Sequence, residues 1–262
     1  VNVSSAKLSG TQTALVENVE MTAPSLAVDA LLNQGSGTGA QALVGASGGA
    51  NVTLQLGGVG ANTATARNAQ TSVARVSTSM LNIAGALTIE TLGAVRAVAD
   101  VESGTTVTLL NVALMQTIAR AEANLRAQLE LGGATVNAGT LTVRVQYNDD
   151  ATAKVAPGGS AADVSLGSVT TNTAVADAVT NAQARVSGNG ALTTSGKASV
   201  TATGTGGATA EGRTVKVDVT ALRISVNTAV ANAMENLQAR IEGNAAYDLG
   251  SLEVLSEYKG EG

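Results

Sequence analysis

The sequence has no cysteine, histidine, tryptophan or phenylalanine, and only three tyrosines and two prolines. Each absence removes a class of chemistry. Without cysteine there are no disulfide staples and no thiolate metal sites, although either redox compartment stays open. Without histidine as well, a Ser-His-Asp triad, a Cys nucleophile and a His-ligated zinc site are excluded. A core of ordinary make-up draws on large aromatic side chains, which bury the most area per residue. Here the apolar supply is Val, Ala and Leu with some Ile, which suits a thin interior between closely spaced strands. Charge is sparse and mildly acidic, at 15 Lys+Arg against 20 Asp+Glu. No basic cluster with interleaved aromatics occurs, so nucleic-acid binding lacks both its electrostatic and its stacking part. No run of about 18 apolar residues occurs, so no stretch reads as a membrane span. Neither Met nor a signal-like stretch precedes Val1, and the chain reads as an excised or processed piece.

What is present is a repeat. Ala74-Arg75-Val76, Ala127-Gln128-Leu129, Ala184-Arg185-Val186 and Ala239-Arg240-Ile241 are counterparts, and the spacings between Arg75, Gln128, Arg185 and Arg240 are 53, 57 and 55 residues. A strand-like start stands 21 to 23 residues before each anchor, at Val52-Thr-Leu, Val107-Thr-Leu, Val164-Ser-Leu and Val217-Asp-Val. Shortly after each anchor comes another, at Ala86-Leu-Thr-Ile, Thr140-Leu-Thr-Val, Lys197-Ala-Ser-Val and Ser251-Leu-Glu-Val. Periods of this length mean a stacked array in which no unit buries its apolar face alone.

The expected organisation of the 262 residues is one continuous elongated domain: a partial or capping unit over 1–50, then repeats over 51–105, 106–160, 161–213 and 214–262. In the first segment, Asn33-Gln-Gly-Ser-Gly-Thr-Gly reads as a loop. The middle of most repeats carries helix-favouring residues. In 114–130, Ile118, Leu125 and Leu129 share one helical face, and Glu122 lies four residues before Arg126. Val230, Met234, Leu237 and Ile241 fit an amphipathic helix, as do Val175, Val179, Ala182 and Val186, with Asn172 and Asn227 as N-caps. The first repeat offers only Thr65, Ala69, Ser72 and Val76. A rival pattern exists, since Ile224, Val226, Thr228 and Val230 also alternate as in a strand that runs further. The expected fold is a repeat solenoid, predominantly β (β-solenoid or β-helix-like), with an amphipathic helix in most repeats.

The stretch Lys197-Ala-Ser-Val-Thr-Ala-Thr-Gly-Thr-Gly-Gly-Ala-Thr-Ala-Glu-Gly-Arg-Thr-Val-Lys-Val-Asp-Val, followed by Ile224-Ser-Val-Asn-Thr-Ala-Val-Ala, resembles the β-strand repeats of leukotoxin-like filamentous bacterial surface adhesins. The likeness covers 160–262 well and 51–159 loosely. It implies an extended β-solenoid exposed at a bacterial surface. The helix-like middle sections depart from that pattern.

Chemistry-bearing constellations are few. Asp149-Asp150 is the one adjacent acidic pair; its Tyr-Asn-Asp-Asp setting reads as a turn after a strand, ahead of a calcium cluster or catalysis. Gly57-Gly58-Val59-Gly60 lacks the Lys-Ser/Thr of a phosphate loop and reads as a repeat corner. Ser195 and Lys197 fall in a glycine-flanked turn without an oxyanion hole. Thr201, Thr203 and Thr205 could present hydroxyls to ice or a glycan, with ordinary exposed strand as the plain reading. Arg75, Arg185 and Arg240 form the one recurring charged stripe, a solvated helix-end cation by default and an interaction stripe otherwise. No cofactor, metal or catalytic residue is expected, and the chain reads as not an enzyme. The expected role is a stalk or filament segment of a secreted or cell-surface bacterial adhesin, self-associating end to end or laterally, or meeting a host or cell-surface ligand. The alternatives are a binding module for glycan, host protein or ice, and behind it a polysaccharide-active β-helix enzyme.

Overall fold

The computed structural model describes residues 2–32, 40–44, 54–55, 57–77, 80–103, 106–157, 162–213 and 217–260. The expected loop at 33–39 and the strand start at Val52-Thr53 lie outside the described residues. The strands are β1 (Asn2–Glu17), β2 (Glu20–Ala23), β3 (Leu26–Leu32), β4 (Ala40–Val44), β5 (Leu54–Gln55), β6 (Gly58–Ser77) and β7 (Met80–Ser103). They continue as β8 (Thr106–Glu130), β9 (Thr135–Pro157), β10 (Ala162–Gly188), β11 (Ala191–Gly212), β12 (Val217–Gly243) and β13 (Ala246–Tyr258). Sheet A runs β1-β6-β8-β10-β12, with β5 on β8; sheet B runs β13-β11-β9-β7, with β2, β3 and β4 along the far edge of β7. Every pairing is parallel. From β6 onward the chain visits A and B in alternation and gives one strand to each sheet per coil, whereas the first coil gives sheet B the three short strands β2, β3 and β4. The fold is a predominantly β repeat solenoid of two parallel sheets.

Among the described residues there is no helix, which overturns the expected middle helices. Leu114–Glu130 lies within β8, Asn172–Val186 within β10, Asn227–Ile241 within β12 and Thr65–Val76 within β6. The reason is a second periodicity under the first. From Ala119 to Glu130 the chain reads apolar, polar, apolar, polar without a break, with alanine as the usual apolar residue. Alternation of that kind aims one set of side chains inward and the other outward. The matching alternation one coil away then lets both strands pair, as Arg185 does with Gln128 and Arg240. A strand of 27 residues extends about 90 Å, whereas five stacked strands rise only about 19 Å. The long dimension therefore follows the strands, not the stacking axis.

The turns from A to B are tight where they are described. Gly133, Gly188 and Gly243 adopt positive φ of 84°, 112° and 105°, and Asn18 stands in the equivalent turn at 52°. Backbone bonds stack these turns coil on coil: Leu131 N donates to Ser187 O at 2.8 Å, and Ala246 N to Gly190 O at 2.8 Å.

The interior is built from unequal walls. Sheet A turns alanines inward, among them Ala119, Ala121, Ala127, Ala174, Ala176 and Ala184; sheet B answers with Leu81, Leu87, Ile89, Leu141, Val143 and Val200, all buried. Small side chains on one wall let the sheets approach closely enough for short polar groups to reach across. Ser72 Oγ donates to Ala30 O at 3.2 Å, Asn68 Nδ2 to Arg96 O at 3.0 Å and Thr91 Oγ1 to Arg126 O at 2.8 Å. Those bonds satisfy buried polar groups that would otherwise be costly.

The scarce tyrosines follow the same logic of size. One inward ladder of sheet B reads Gly93, Tyr147, Gly204, Tyr258 across successive coils. A Cβ placed on Gly204 would fall on the Tyr147 ring, so the ring occupies room left by its neighbour's missing side chain. Gly204→Ala is expected to lower stability by about 1–3 kcal/mol through overpacking, measured by chemical denaturation. Making Tyr147→Leu first should shrink that loss, since contacting sites couple; strictly additive losses would refute the size pairing.

Candidate functional site

Arg75, Arg185 and Arg240 do fall in one ladder on the outer face of sheet A, with Gln128 between the first two. Their neighbours decide what the ladder does. Arg75 holds Glu130 at 2.6 Å and Glu17 at 3.3 Å, and Arg185 holds Glu242 at 2.5 Å, each acid lying on an adjacent coil. Gln128 Nε2 donates to Gln183 Oε1 at 3.4 Å. The stripe is thus an ion-pair seam between coils, and its cations end strands rather than helices. Such exposed pairs contribute about 0–1 kcal/mol each. Arg240, on the terminal coil, is exposed and has no ion-pair partner among the described residues.

The outer face of sheet B carries an open groove of about 590 Å³, lined by Arg144, Gln146, Asn148, Thr201, Thr203 and Thr205, with Glu257 and Lys259 also on its wall. Parallel pairing sets Thr201 beside Arg144, Thr203 beside Gln146 and Thr205 beside Asn148. Arg144 also holds Glu90 at 2.8 Å. The groove therefore presents hydroxyls, amides and a guanidinium in two adjacent rows, a donor-rich surface with the buried Tyr147 also on its wall.

Asp149 and Asp150 do not form a turn; both lie inside β9, on opposite faces. Asp150 points outward to Arg96 at 3.3 Å. Asp149 points inward and is 1% exposed, where Val95 N donates to its Oδ1 at 3.2 Å and Thr180 Oγ1 donates to its Oδ2. Nearby, Tyr147 OH donates to Glu235 Oε2 at 2.7 Å, while Glu235 Oε1 is buried without a hydrogen-bond partner. Burial first, and then the Glu235 carboxylate, push the Asp149 carboxyl well above the usual range, against the pull of the Val95 amide. Glu235 is raised by burial too, with its hydrogen bond from Tyr147 opposing. Burial and its bond to Glu235 push the Tyr147 hydroxyl far above the ordinary phenol value.

Sequence reasoning passed over Tyr147, Thr180 and Glu235. The available signal was Glu235, which interrupts the inward series Ala229, Ala231, Ala233, Leu237, Ala239. The remaining candidates stay apart. Ser195 Oγ donates to Gly139 O at 3.3 Å, whereas Lys197 pairs with Glu253 at 2.8 Å. Gly58 opens β6, so the glycine cluster begins a strand instead of cradling an anion. Among the described residues no three acidic side chains gather closely enough to hold a metal ion, and no helix is long and apolar enough to cross a membrane. Comparisons with protein-family models, curated proteins and solved structures find no match.

The interior acid has a measurable signature. An unfolded aspartate titrates near about 4, and the folded value of Asp149 lies above it. Its contribution is therefore most favourable below about pH 4 and is lost as pH rises toward the folded value. Asp149→Asn should show a melting temperature that gains on the parent as pH rises above about 4 and levels off once pH passes the folded value. Parallel melting profiles across that window would rule the buried proton out.

Proposed function

We propose that the chain is a non-catalytic structural segment, a stalk or filament piece, of a secreted or cell-surface adhesin-like repeat protein of bacterial type. One observation carries the reading. Among the described residues β1 and β12, the two outer strands of sheet A, each pair on one side only. Unpaired edges are templates for strand addition, and here both edges run in the direction of one continuous ladder. The side chains are already arranged for continuation: Asn172 Nδ2 donates to Asn227 Oδ1 at 2.8 Å, Asn236 Nδ2 to Asn181 Oδ1 at 3.2 Å and Asn232 Nδ2 to Asp177 Oδ1 at 2.9 Å. Each bond joins a side chain of β10 to its register partner on β12, and such pairing extends with every further coil that presents a matching residue. The resemblance of 160–262 to filamentous surface adhesins agrees with this reading and with a place outside the cell.

The groove on sheet B favours one second reading, a binding module for a glycan, because its threonines, Gln146, Asn148 and Arg144 offer hydrogen bonds along a row. A glycan array run alongside Arg144→Ala and Gln146→Ala variants separates it from a purely structural role.

Stacking is tested on the terminal coil, where Ala231 belongs to the inward alternation yet lies exposed. The parent chain should form assemblies that lengthen with concentration, seen by scattering and negative-stain imaging. Ala231→Lys places a charge where the next coil must sit, a known device against edge addition. It should stop that growth while shifting the melting temperature little. A parent that stays monomeric at every concentration would count against the stalk.

A further inference from the structure

The outer face of sheet A is divided. From the Arg120 ladder onward it carries Lys7, Arg67, Asp177, Glu122, Arg126 and the arginine seam. On the other side stands a block with no charge at all: Val112, Leu114, Gln116 and Ile118 of β8, with their register partners on β6, β10 and β12. Those partners are all Val, Ile, Thr or Ala, and a further row adds Leu110, Gly167 and Leu222. Many apolar members stand in solvent, with Leu222 67%, Leu110 54%, Ile224 52% and Leu114 47% exposed, while Val112, Ile118 and Val175 are half-buried. At about 4.8 Å between strands and about 6.7 Å between same-face residues, five rows on four strands cover about 600 Å². Flat, uncharged, β-branched surface of this size on a soluble face marks a contact site.

We infer that this block is the contact face for a second copy of the chain, sheet A against sheet A. The face is self-complementary about a two-fold axis running along the strands between β8 and β10. That axis sets β8 against β10 of the second copy, so Val112 meets Val169 and Ile118 meets Val175. At the border of the block, Arg120, which already holds Glu122, meets Asp177 of the second copy, and Asp177 meets Arg120. No like charges oppose one another within the block. Two copies cover about 1,200 Å², the lower limit for a stable interface, and sheets pack face to face about 10 Å apart with interleaved side chains. This contact is separate from coil stacking. It uses the flat face of central strands, whereas stacking uses the edges of β1 and β12.

Sedimentation velocity of the full chain is expected to show a monomer–dimer equilibrium that Leu114→Lys weakens about tenfold or more, because an unpaired charge is then buried. Arg120→Asp should weaken it as well, and Arg120→Asp with Asp177→Arg should restore it. Since the parent has no cysteine, a mixture of Leu114→Cys and Thr171→Cys proteins should give covalent dimers with a short bis-maleimide linker, which spans the gap of about 10 Å between packed sheets, while Thr203→Cys on sheet B should not. Melting profiles establish that each variant folds. Leu114→Lys leaves edge stacking intact and Ala231→Lys leaves the face contact intact, so failure of either idea is visible without the other. Equal cross-linking from both faces overturns the inference, as does loss of dimer in none of the charged variants. So does flotation of the parent, but not of Leu114→Lys, with phosphatidylcholine–phosphatidylglycerol vesicles, which would assign the face to a lipid surface.

Discussion

The close approach of two parallel sheets across a wall of alanines is the constraint on which the rest depends. Alanine buries little area, so a coil whose inner face reads Ala174, Ala176, Ala178, Ala182, Ala184 gains little hydrophobic energy from sheet A alone. The gain comes from the leucines, isoleucines and valines of sheet B, which the small wall lets settle without voids. One oversized residue on that wall would act along the strand as a wedge and lift its neighbours from their partners. The same narrowness explains why the aromatic content is so low, and why the two described tyrosines of one ladder, Tyr147 and Tyr258, alternate with glycine.

A thin interior also governs where polarity is tolerated. Asn68, Ser72 and Thr91 are buried, yet each reaches a carbonyl of the opposite sheet. Asp149 is the hard case, because a carboxylate without a cation partner is costly in such surroundings. Its raised pKa follows from that cost, because burial disfavours the charged form. Outside, the problem is reversed. Charges stand in ladders, and Arg67–Glu122, Arg75–Glu130 and Arg144–Glu90 each link one coil to the next. Carboxyls on the outer face are thus met by arginines, whereas the inner Asp149 is met by hydrogen-bond donors, the Val95 amide and the Thr180 hydroxyl.

How much of this was legible depended on which residues were allowed to speak. The coil length was in the spacing of Arg75, Gln128, Arg185 and Arg240, and these residues do stand in one ladder. The predominance of β structure was in the Val and Thr alternation of 140–147. The expected helices came from weighing alanine as a helix former instead of as a small inward residue. Ile118-Ala-Arg-Ala-Glu-Ala-Asn-Leu-Arg-Ala-Gln-Leu satisfies both periods, because a helical face and a strand face each collect enough apolar residues from it. Only the existence of an identical alternation one coil away breaks the tie, and that is information about pairing, which no local window contains. The Asp149-Asp150 pair misled for a related reason. Turn preference is a local property, and here it yields to ladders on both sides of β9.

Both ends of the stack leave part of an inward face open. In the first coil Val28, Ala30 and Leu32 of sheet B are buried, while Leu8, on the inward face of β1 beside Asn68, is 39% exposed. In the last coil Leu252 and Val254 continue the inward ladders of Leu141 and Val143 by way of Ala198 and Val200, yet they remain 53% and 46% exposed. Ala229, Ala231 and Ala233 lie open beside them in sheet A. Side chains patterned for an interior but left in water cost free energy in proportion to their apolar area, about 25 cal/mol per Å². That cost falls on both outer coils and would be removed by any parallel coil seated beside them. The inward patterning of β1 and β12 matches the unpaired edges of sheet A, so backbone and side chains of each outer strand are laid out for a neighbour.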